Sequence, residues 1–285
     1  MRAIAHISGS SLPTWWGIYH HFRIGGVKVD LDGGSPGRTA YLREPYHKQL
    51  AGEDRYRGYP RFREQIKLNE TIVRYYRMPV PVLIHALGDA AVDQAIAAVS
   101  AAERTVPGHD RRTQLIHLQQ VQEDQLDALA RLQVTFTFQV AHLYYFGDLH
   151  HEQIYGPERA ARLTPVRSAI DRGLSVSIHH DAPVHPVDQM TLIWAVTNRQ
   201  TAAGRVLGPV QRITAAAALR ASTIGPAYQF FEEGQKGTLE VGKLADFVIL
   251  DRDPLSEPPG SLRTIRVVET IKEGATIFRA ERPPR

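Results

Sequence analysis

The sequence has 285 residues, of which 43% are apolar and 22% charged, values that are normal for a soluble globular protein. It contains no cysteine, which excludes disulfides, thiolate nucleophiles and cysteine-ligated zinc, so any metal must be held by histidine and oxygen ligands. No apolar run approaches the roughly 20 residues that span a bilayer, and the first residues lack the apolar core of a signal peptide. We therefore predict a cytoplasmic protein with no membrane partner.

The net charge of +4 is small for 285 residues, and no long basic block is present. The densest basic stretch, residues 55–67, contains Glu64 and directly follows Asp54. We interpret this stretch as a solvated helix face and not as a phosphate-binding site. No nucleic-acid partner is predicted, because no basic cluster or aromatic platform accompanies the charge.

Short β-branched runs alternate with helical segments, which is typical of βα units around a parallel sheet. The expected strands lie at residues 80–85, 114–117, 134–140 and 174–180, and the expected helices at 123–132 and 157–172, with Asp89 as the cap of a further helix. Their spacing is about that of a (β/α)₈ barrel, which needs about 250 residues. We predict an α/β fold in which residues 1–235 form a partial TIM barrel that contains the later strands.

The pattern changes after Asp181. Residues 213–231 are expected to form an amphipathic helix, and the following segment alternates turns with short strands. These strands cannot belong to a βα repeat, so residues 236–285 are predicted to form the C-terminal strands of a small β-sandwich.

Several polar residues stand where apolar strands end. His85 and His117 each close such a run, and residues 177–183 end a third strand with two imidazoles and the carboxylate of Asp181. Lys28 interrupts an earlier apolar strand. In a (β/α)₈ barrel the active site lies at these carboxyl ends, and imidazole and carboxylate are ligands of zinc or a similar divalent ion.

Each residue also has a simpler interpretation. A histidine at a strand end is more often a hydrogen-bonded core residue, Lys28 could extend its charged end to solvent, and Asp181 could cap the next helix. The spacing leaves these alternatives open.

Five segments carry a resemblance to a known family. They are Gly-Val-Lys-Val-Asp-Leu-Asp-Gly at 26–33, His-Ala-Leu-Gly-Asp at 85–89, Leu-Ile-His at 115–117, His-Asp-Ala-Pro-Val at 180–184 and Lys-Gly-Thr-Leu-Glu-Val-Gly-Lys-Leu-Ala-Asp-Phe-Val-Ile-Leu-Asp at 236–251. From about residue 24 to the C-terminus, the chain resembles the amidohydrolase superfamily, and more narrowly its amidohydrolase-3 group.

The resemblance implies a metal-dependent hydrolase that cleaves carbon–nitrogen bonds, other than peptide bonds, in small amide- or formamide-like substrates. It implies one or two divalent ions, with zinc favoured, bound by Lys28 (carboxylated), His85, His117 and Asp181. Asp181 would also shuttle the proton, and His142 would polarise the substrate carbonyl.

One departure from the family pattern concerns the His-x-His pair of the first barrel strand. No such pair precedes Lys28, because His20 and His21 are adjacent and would point to opposite faces of a strand. The first barrel strands are likewise expected to be absent, so a missing N-terminal half or a second copy is a candidate partner.

The alternative function is therefore a catalytically incomplete fragment that acts as a non-catalytic or interaction protein. By itself the chain is expected to retain metal weakly and to show no measurable hydrolysis of simple amides or formamides, unless His179 or His180 takes over the missing ligand positions.

Overall fold

The computed structural model describes residues 3–8, 22–52 and 54–281, with side chains from residue 24 onward. A parallel sheet holds six strands in the order β1-β2-β3-β4-β5-β6, and a separate antiparallel sheet holds β7-β8-β9. The strands are β1 (Ala3–Ser8), β2 (Phe22–Asp30), β3 (Val82–Ala86), β4 (Gln114–His117), β5 (Thr135–Phe138), β6 (Val176–Ile178), β7 (Phe247–Leu250), β8 (Val267–Lys272) and β9 (Ala275–Arg279).

Helical segments connect the strands of the parallel sheet from β2 onward and continue after β6. They are α1 (Gln65–Tyr76), α2 (Asp89–Thr105), α3 (Glu123–Arg131), α4 (Ala141–Tyr145), α5 (Gly147–Leu149), a π-helical turn (His150–Ile154), α6 (Gly156–Ala161), α7 (Val166–Asp171), α8 (Gln189–Asn198), α9 (Ala215–Ser222) and α10 (Ile224–Gln229), with 3₁₀ turns at Pro209–Gln211 and Pro259–Thr264. Among the described residues, none of these helices has the length and apolarity needed to cross a membrane.

The sequential order of six parallel strands is that of a barrel wound in one direction, so the predicted α/β fold, with barrel strands followed by a small C-terminal sheet, is confirmed. One strand that the sequence did not predict precedes the lysine strand in this sheet. β1 pairs in parallel with β2, and its Ser8 lies opposite Lys28. The adjacent His20 and His21 lie outside the described residues.

The core is built as expected for strands covered on both faces. β4 is buried along its whole length, and Ile84 of β3 and Phe136 of β5 are fully buried. α1 and α2 cover the outer face and bury Ile72 and Val92. Each such side chain contributes about 1.5–3 kcal/mol through its transfer from water, which fixes the strand ends that carry the polar residues.

Two helices expected from the sequence are interrupted. The one expected at 157–172 breaks around Pro165, where Thr164 adopts a φ of 51° and donates its N–H to the carbonyl of Gln119. The one expected at 213–231 breaks at Thr223, because Pro226 has no N–H to donate to the carbonyl of Ser222.

Two helix starts also differ from expectation. Gly88, not Asp89, occupies the N-cap of α2, and the buried Asp89 accepts a hydrogen bond from the Arg43 N–H at 2.8 Å. The basic stretch at 55–67 is helical only from Gln65, since Gly58 (φ of 76°) and Pro60 stop a helix from forming earlier.

The C-terminal segment packs against α8. The Trp194 indole donates to the carbonyl of Gly260 at 3.1 Å, and the Asn198 amide donates to that of Pro259 at 2.7 Å. The small sheet keeps apolar side chains exposed, among them Val248 and Ile277. The domain boundary between residues 235 and 236 stays a prediction.

Candidate metal centre

The carboxyl ends of β3 to β6 bring the polar residues together. His117 is the last residue of β4, and in the register it lies opposite Ala86 of β3 and Phe138 of β5. His179 and Asp181 follow the last residue of β6, and the His179 N–H donates to the carbonyl of Phe138 at 3.0 Å. Because these strands are parallel and adjacent, their ends share one edge of the sheet.

His117, His179 and Asp181 form a group that we call the metal cluster. One ligand atom from each lies within 4.8 Å of the others. The two rings have centroids 5.0 Å apart, and His117 Nδ1 is 3.9 Å from Asp181 Oδ2. His117 and Asp181 both adopt left-handed backbone conformations, with φ of 82° and 63°, a strain that is commonly stored at functional sites.

The buried nitrogens of the metal cluster lack partners. His117 Nδ1 and His179 Nε2 are shielded from solvent, and neither has a hydrogen-bond partner. Buried polar atoms are normally satisfied, so each such nitrogen requires an explanation. A cation placed between these nitrogens and the Asp181 carboxylate would satisfy all three groups. The donor set fits a divalent metal, with zinc among the ions that favour nitrogen and carboxylate oxygen.

The electrostatic environment keeps both imidazoles neutral. The pKa of His117 lies well below its usual value, mainly because the ring is buried. The neighbouring His179, His85 and Lys28 lower it further. Burial, then His180 and Lys28, lower the pKa of His179 to about 3. Neutral imidazole is the form that binds metal, so these rings are ready to coordinate without first losing a proton.

His85 lies beside this group but its nitrogens are engaged elsewhere. Its ring contacts that of His117 at a centroid distance of 4.4 Å, while Nε2 lies 3.3 Å from Asp32 and Nδ1 lies 3.7 Å from Asp30. The ammonium of Lys28 pairs with the same Asp30 at 3.7 Å. Both residues are therefore next to the metal cluster without joining it, and their ligand roles stay predictions.

Asp32 is a buried carboxylate beside His85 to which sequence reasoning assigned no role. It is fully buried just beyond β2 and accepts hydrogen bonds from the N–H groups of Leu87 and Gly88 at 3.0 and 2.9 Å. These bonds hold the turn after β3 and place a carboxylate against His85. The available signal was a charged residue directly after a buried strand.

His142 lies in α4 and belongs to a second histidine cluster, formed by His142, His150 and His185. The His142 ring lies 5.3 Å from that of His150 and 5.0 Å from that of His185, measured between centroids. Burial, followed by the neighbouring imidazoles, lowers the pKa of His142 to about 2. His142 is close enough to the metal cluster for His179 to contribute to that shift.

Two buried glutamines connect the clusters, and no motif or pattern in the chain predicted either of them. Gln139 follows β5 and donates from Nε2 to Asp181 Oδ2 at 3.0 Å. Gln119, which is fully buried, contacts Gln139 and His142. His179 was visible in the sequence as a strand-end imidazole, but it was considered only as a possible replacement for the missing ligands.

Two cavities in the described part of the chain lie at the other ends of the strands. One is lined by Val80 and Arg111, which precede β3 and β4, and another by Val134 and Ser175, which precede β5 and β6. None of the metal-cluster residues lines them. The convergence of candidate ligand residues therefore points to the site, whereas these two cavities do not.

Comparison with known proteins connects this geometry to relatives. The chain is 29% identical over 221 residues to N-substituted formamide deformylase of Arthrobacter pascens, which covers 78% of this chain and 40% of the relative. It is 24% identical over 265 residues to the putative amidohydrolase YtcJ of Bacillus subtilis, covering 90% of this chain and 48% of that protein. The chain thus spans about half the length of these relatives or less.

The chain is also similar to part of two solved structures of metal-dependent hydrolases. An uncharacterized metal-dependent hydrolase from Pyrococcus horikoshii superposes with a TM-score of 0.72 at 26% identity, covering 86% of this chain and 48% of that one. An uncharacterized metal-dependent hydrolase from Pyrococcus furiosus superposes with a TM-score of 0.70 at 29% identity, covering 85% of this chain and 47% of that one. The model of the amidohydrolase family matches residues 6–278, so the similarity begins well before residue 24. The chain belongs to the amidohydrolase family.

Proposed function

We propose that the protein hydrolyses carbon–nitrogen bonds in small amide- or formamide-like substrates, with a divalent metal, zinc favoured, held by His117, His179 and Asp181. The observation that carries the proposal is the convergence of two buried, unpartnered imidazole nitrogens and a carboxylate at the carboxyl ends of the strands. The relative named N-substituted formamide deformylase supports a formamide as the substrate class.

His179 is included because its position changes the ligand inventory. The expectation of weak metal retention counted Lys28, His85, His117 and Asp181 as the ligands available without a His-x-His pair. His179 Nε2 adds a shielded imidazole nitrogen within 4.8 Å of the other ligand atoms. The proposal assigns to it a coordination role that the family pattern gives to other residues.

The reaction breaks the carbonyl carbon–nitrogen bond and forms a bond from the same carbon to a water oxygen. A divalent cation, when bound, activates the water and polarises the carbonyl. Asp181 accepts the proton of the attacking water and delivers it to the departing nitrogen, which leaves as an amine. Gln139 binds Asp181 Oδ2, so the carboxylate is held in one orientation while the proton moves.

His142 is proposed to stabilise the negative charge that develops on the carbonyl oxygen. Its ring stays neutral because burial keeps its pKa near 2, so it donates a hydrogen bond and does not transfer a proton. In this mechanism Asp181 transfers protons, whereas His142 only donates a hydrogen bond.

The test is to measure turnover by the zinc-loaded 285-residue chain on a panel of simple amides and N-substituted formamides. Turnover is detected as the release of amine. We expect Asp181→Asn to lower kcat by at least about 100-fold, the range typical of a lost general base. Asp171→Asn is the matched control, because Asp171 is exposed and, among the described side chains, pairs only with Arg167, at 2.7 Å. It should leave kcat unchanged.

Two outcomes would contradict the proposal. Near wild-type turnover by Asp181→Asn would remove Asp181 from the mechanism. An absence of turnover by the zinc-loaded wild-type chain on the whole panel would contradict the hydrolase and favour the alternative, a non-catalytic protein.

A further inference from the structure

A line of buried amides begins behind Asp181. Gln139 donates from Nε2 to Asp181 Oδ2 at 3.0 Å. An ionised carboxylate can only accept hydrogen bonds, so the amide nitrogen of Gln139 must be the atom that faces it. The amide oxygen of Gln139 is therefore turned inward, where it lies 3.4 Å from Gln119 Nε2.

The orientation of Gln119 follows from that of Gln139. An amide oxygen accepts, so the atom of Gln119 that faces it must be its nitrogen. On the other side, Gln119 Oε1 accepts from the Ser35 hydroxyl at 2.5 Å and from the Tyr155 hydroxyl at 3.2 Å. Burial raises the pKa of Tyr155, so its hydroxyl keeps the proton that it donates. Both ends of the line agree on one orientation.

The same Gln119 nitrogen contacts Nδ1 of His142. Because that nitrogen is a donor, Nδ1 must present a lone pair. A neutral imidazole carries one proton, which must then be on Nε2. His142 Nε2 has no hydrogen-bond partner among the residues whose side chains are described.

The line continues to the second histidine cluster. Ser35 gives its single proton to Gln119, so its oxygen can only accept from His150 Nε2 at 2.9 Å. His150 is thereby also an Nε2–H tautomer, and its Nδ1 is left without a partner. One carboxylate at the site determines the direction of every hydrogen bond in the line.

We infer that Gln139 and Gln119 are positioning residues that hold His142 as the Nε2–H tautomer, and so make it a hydrogen-bond donor for the carbonyl oxygen of the substrate. The identity of the acceptor rests on the proposed function. The tautomer does not, since it follows from contacts within the chain. The arrangement prevents Nε2 from acting as a base, and leaves Asp181 as the group that moves protons.

The test is ¹⁵N NMR of histidine-labelled full chain, in which two-bond couplings to the ring protons distinguish a protonated ring nitrogen from one with a lone pair. The His142 signals are assigned by their loss in His142→Asn. We expect Nε2 protonated in the wild type. Gln119→Glu replaces the donor with an acceptor of the same size, and should move the proton of His142 to Nδ1. Protonated Nδ1 in the wild type, or an unchanged tautomer in Gln119→Glu, would overturn the inference.

A second, uncharged variant is included because the buried charge of Gln119→Glu can prevent folding. Gln119→Met keeps the volume but removes the donor, so the spectrum should show both tautomers in exchange. For N-substituted formamides, kcat should fall about 10- to 100-fold with KM nearly unchanged. This is the loss typical of removing a residue that positions an active-site side chain. Gln120→Met is the matched control, because within the described structure the side-chain amide of the neighbouring buried Gln120 bonds only to the Arg159 carbonyl, at 3.1 Å.

The two proposals fail separately. If the wild-type chain turns over no formamide, the proposed function fails, and the NMR result still decides the tautomer. If Gln119→Met keeps a single Nε2–H tautomer of His142, the positioning role is wrong even when hydrolysis is intact.

Discussion

The metal cluster and the second histidine cluster adjoin at the same edge of the sheet, and both hold neutral, buried imidazoles. Burial lowers the pKa of His179 and of His150 alike, to about 3 in each case. Both clusters also contain nitrogens without partners, such as His179 Nε2 and His150 Nδ1. Among the residues whose side chains are described, only the metal cluster brings at least three candidate ligands together, and it does so with a carboxylate.

The comparison shows that unpartnered imidazoles do not by themselves make a cation site. Three neutral imidazoles can hold zinc when their nitrogens converge. Among the described side chains, the second cluster shows no such convergent group of three ligand atoms, whereas the metal cluster does. In the second cluster, neutral groups occupy His142 Nδ1 and His150 Nε2. That cluster is suited to hold hydrogen-bond directions and not to hold a metal.

The largest effect should separate the clusters by metal affinity. We expect His179→Ala and His117→Ala each to weaken zinc binding by at least about 100-fold, since loss of a mere supporting partner costs about 10- to 100-fold. His150→Ala should leave the affinity unchanged, because its ring reaches no carboxylate of the metal cluster. Competition with a chelator of known affinity measures the dissociation constants.

The exposed His109 offers a matched control, and His109→Ala should bind zinc as the wild type does. An equal loss of affinity in His150→Ala and His179→Ala would place the ion between the clusters and contradict the distinction drawn between them.

A smaller effect should appear in the acid dependence of stability. His150 is fully buried with a pKa of about 3, whereas an unfolded histidine titrates near 6.5. Between these values the unfolded state binds a proton that the folded state does not, so the free energy of unfolding falls as the pH is lowered from about 6.5 towards 3. At about pH 5 this histidine should cost about 2 kcal/mol relative to neutral pH.

Urea denaturation of wild type and His150→Gln measures that contribution. The variant retains a donor for Ser35 but cannot be protonated, so it should lose about 2 kcal/mol less than wild type between about pH 7.5 and pH 5. The exposed His109→Gln should follow the wild type. Parallel pH curves for wild type and His150→Gln would show that the ring titrates normally in the folded state.

Sequence periodicity predicted the parallel part of the fold well, because buried strands and the helices that cover them impose local patterns. Gln114–His117 was predicted to the residue, and α3 was predicted to within one residue. The interruptions at Thr164 and Thr223 were missed, since an amphipathic pattern continues through a break that proline imposes. β1 was missed because only Ile4 and Ile7 of its six residues are strong strand formers.

The site was predicted in part for the same reason. Strand-end residues such as His117 and Asp181 stand out in the sequence because they follow apolar runs. Gln119 and Gln139 do not stand out, because their roles depend on contacts across strands and on hydroxyls far away in the chain. The selection of His179 over His85 depends on where the ring nitrogens point, which a sequence does not encode locally.

The central claim is that His117, His179 and Asp181 hold one divalent ion. Crystals of the zinc-loaded chain, measured at the zinc absorption edge, test it most directly through the anomalous difference map. The account predicts a strong peak in contact with His117 Nδ1, His179 Nε2 and the Asp181 carboxylate. A map without that peak, or with its strongest peak among His142, His150 and His185, would contradict it.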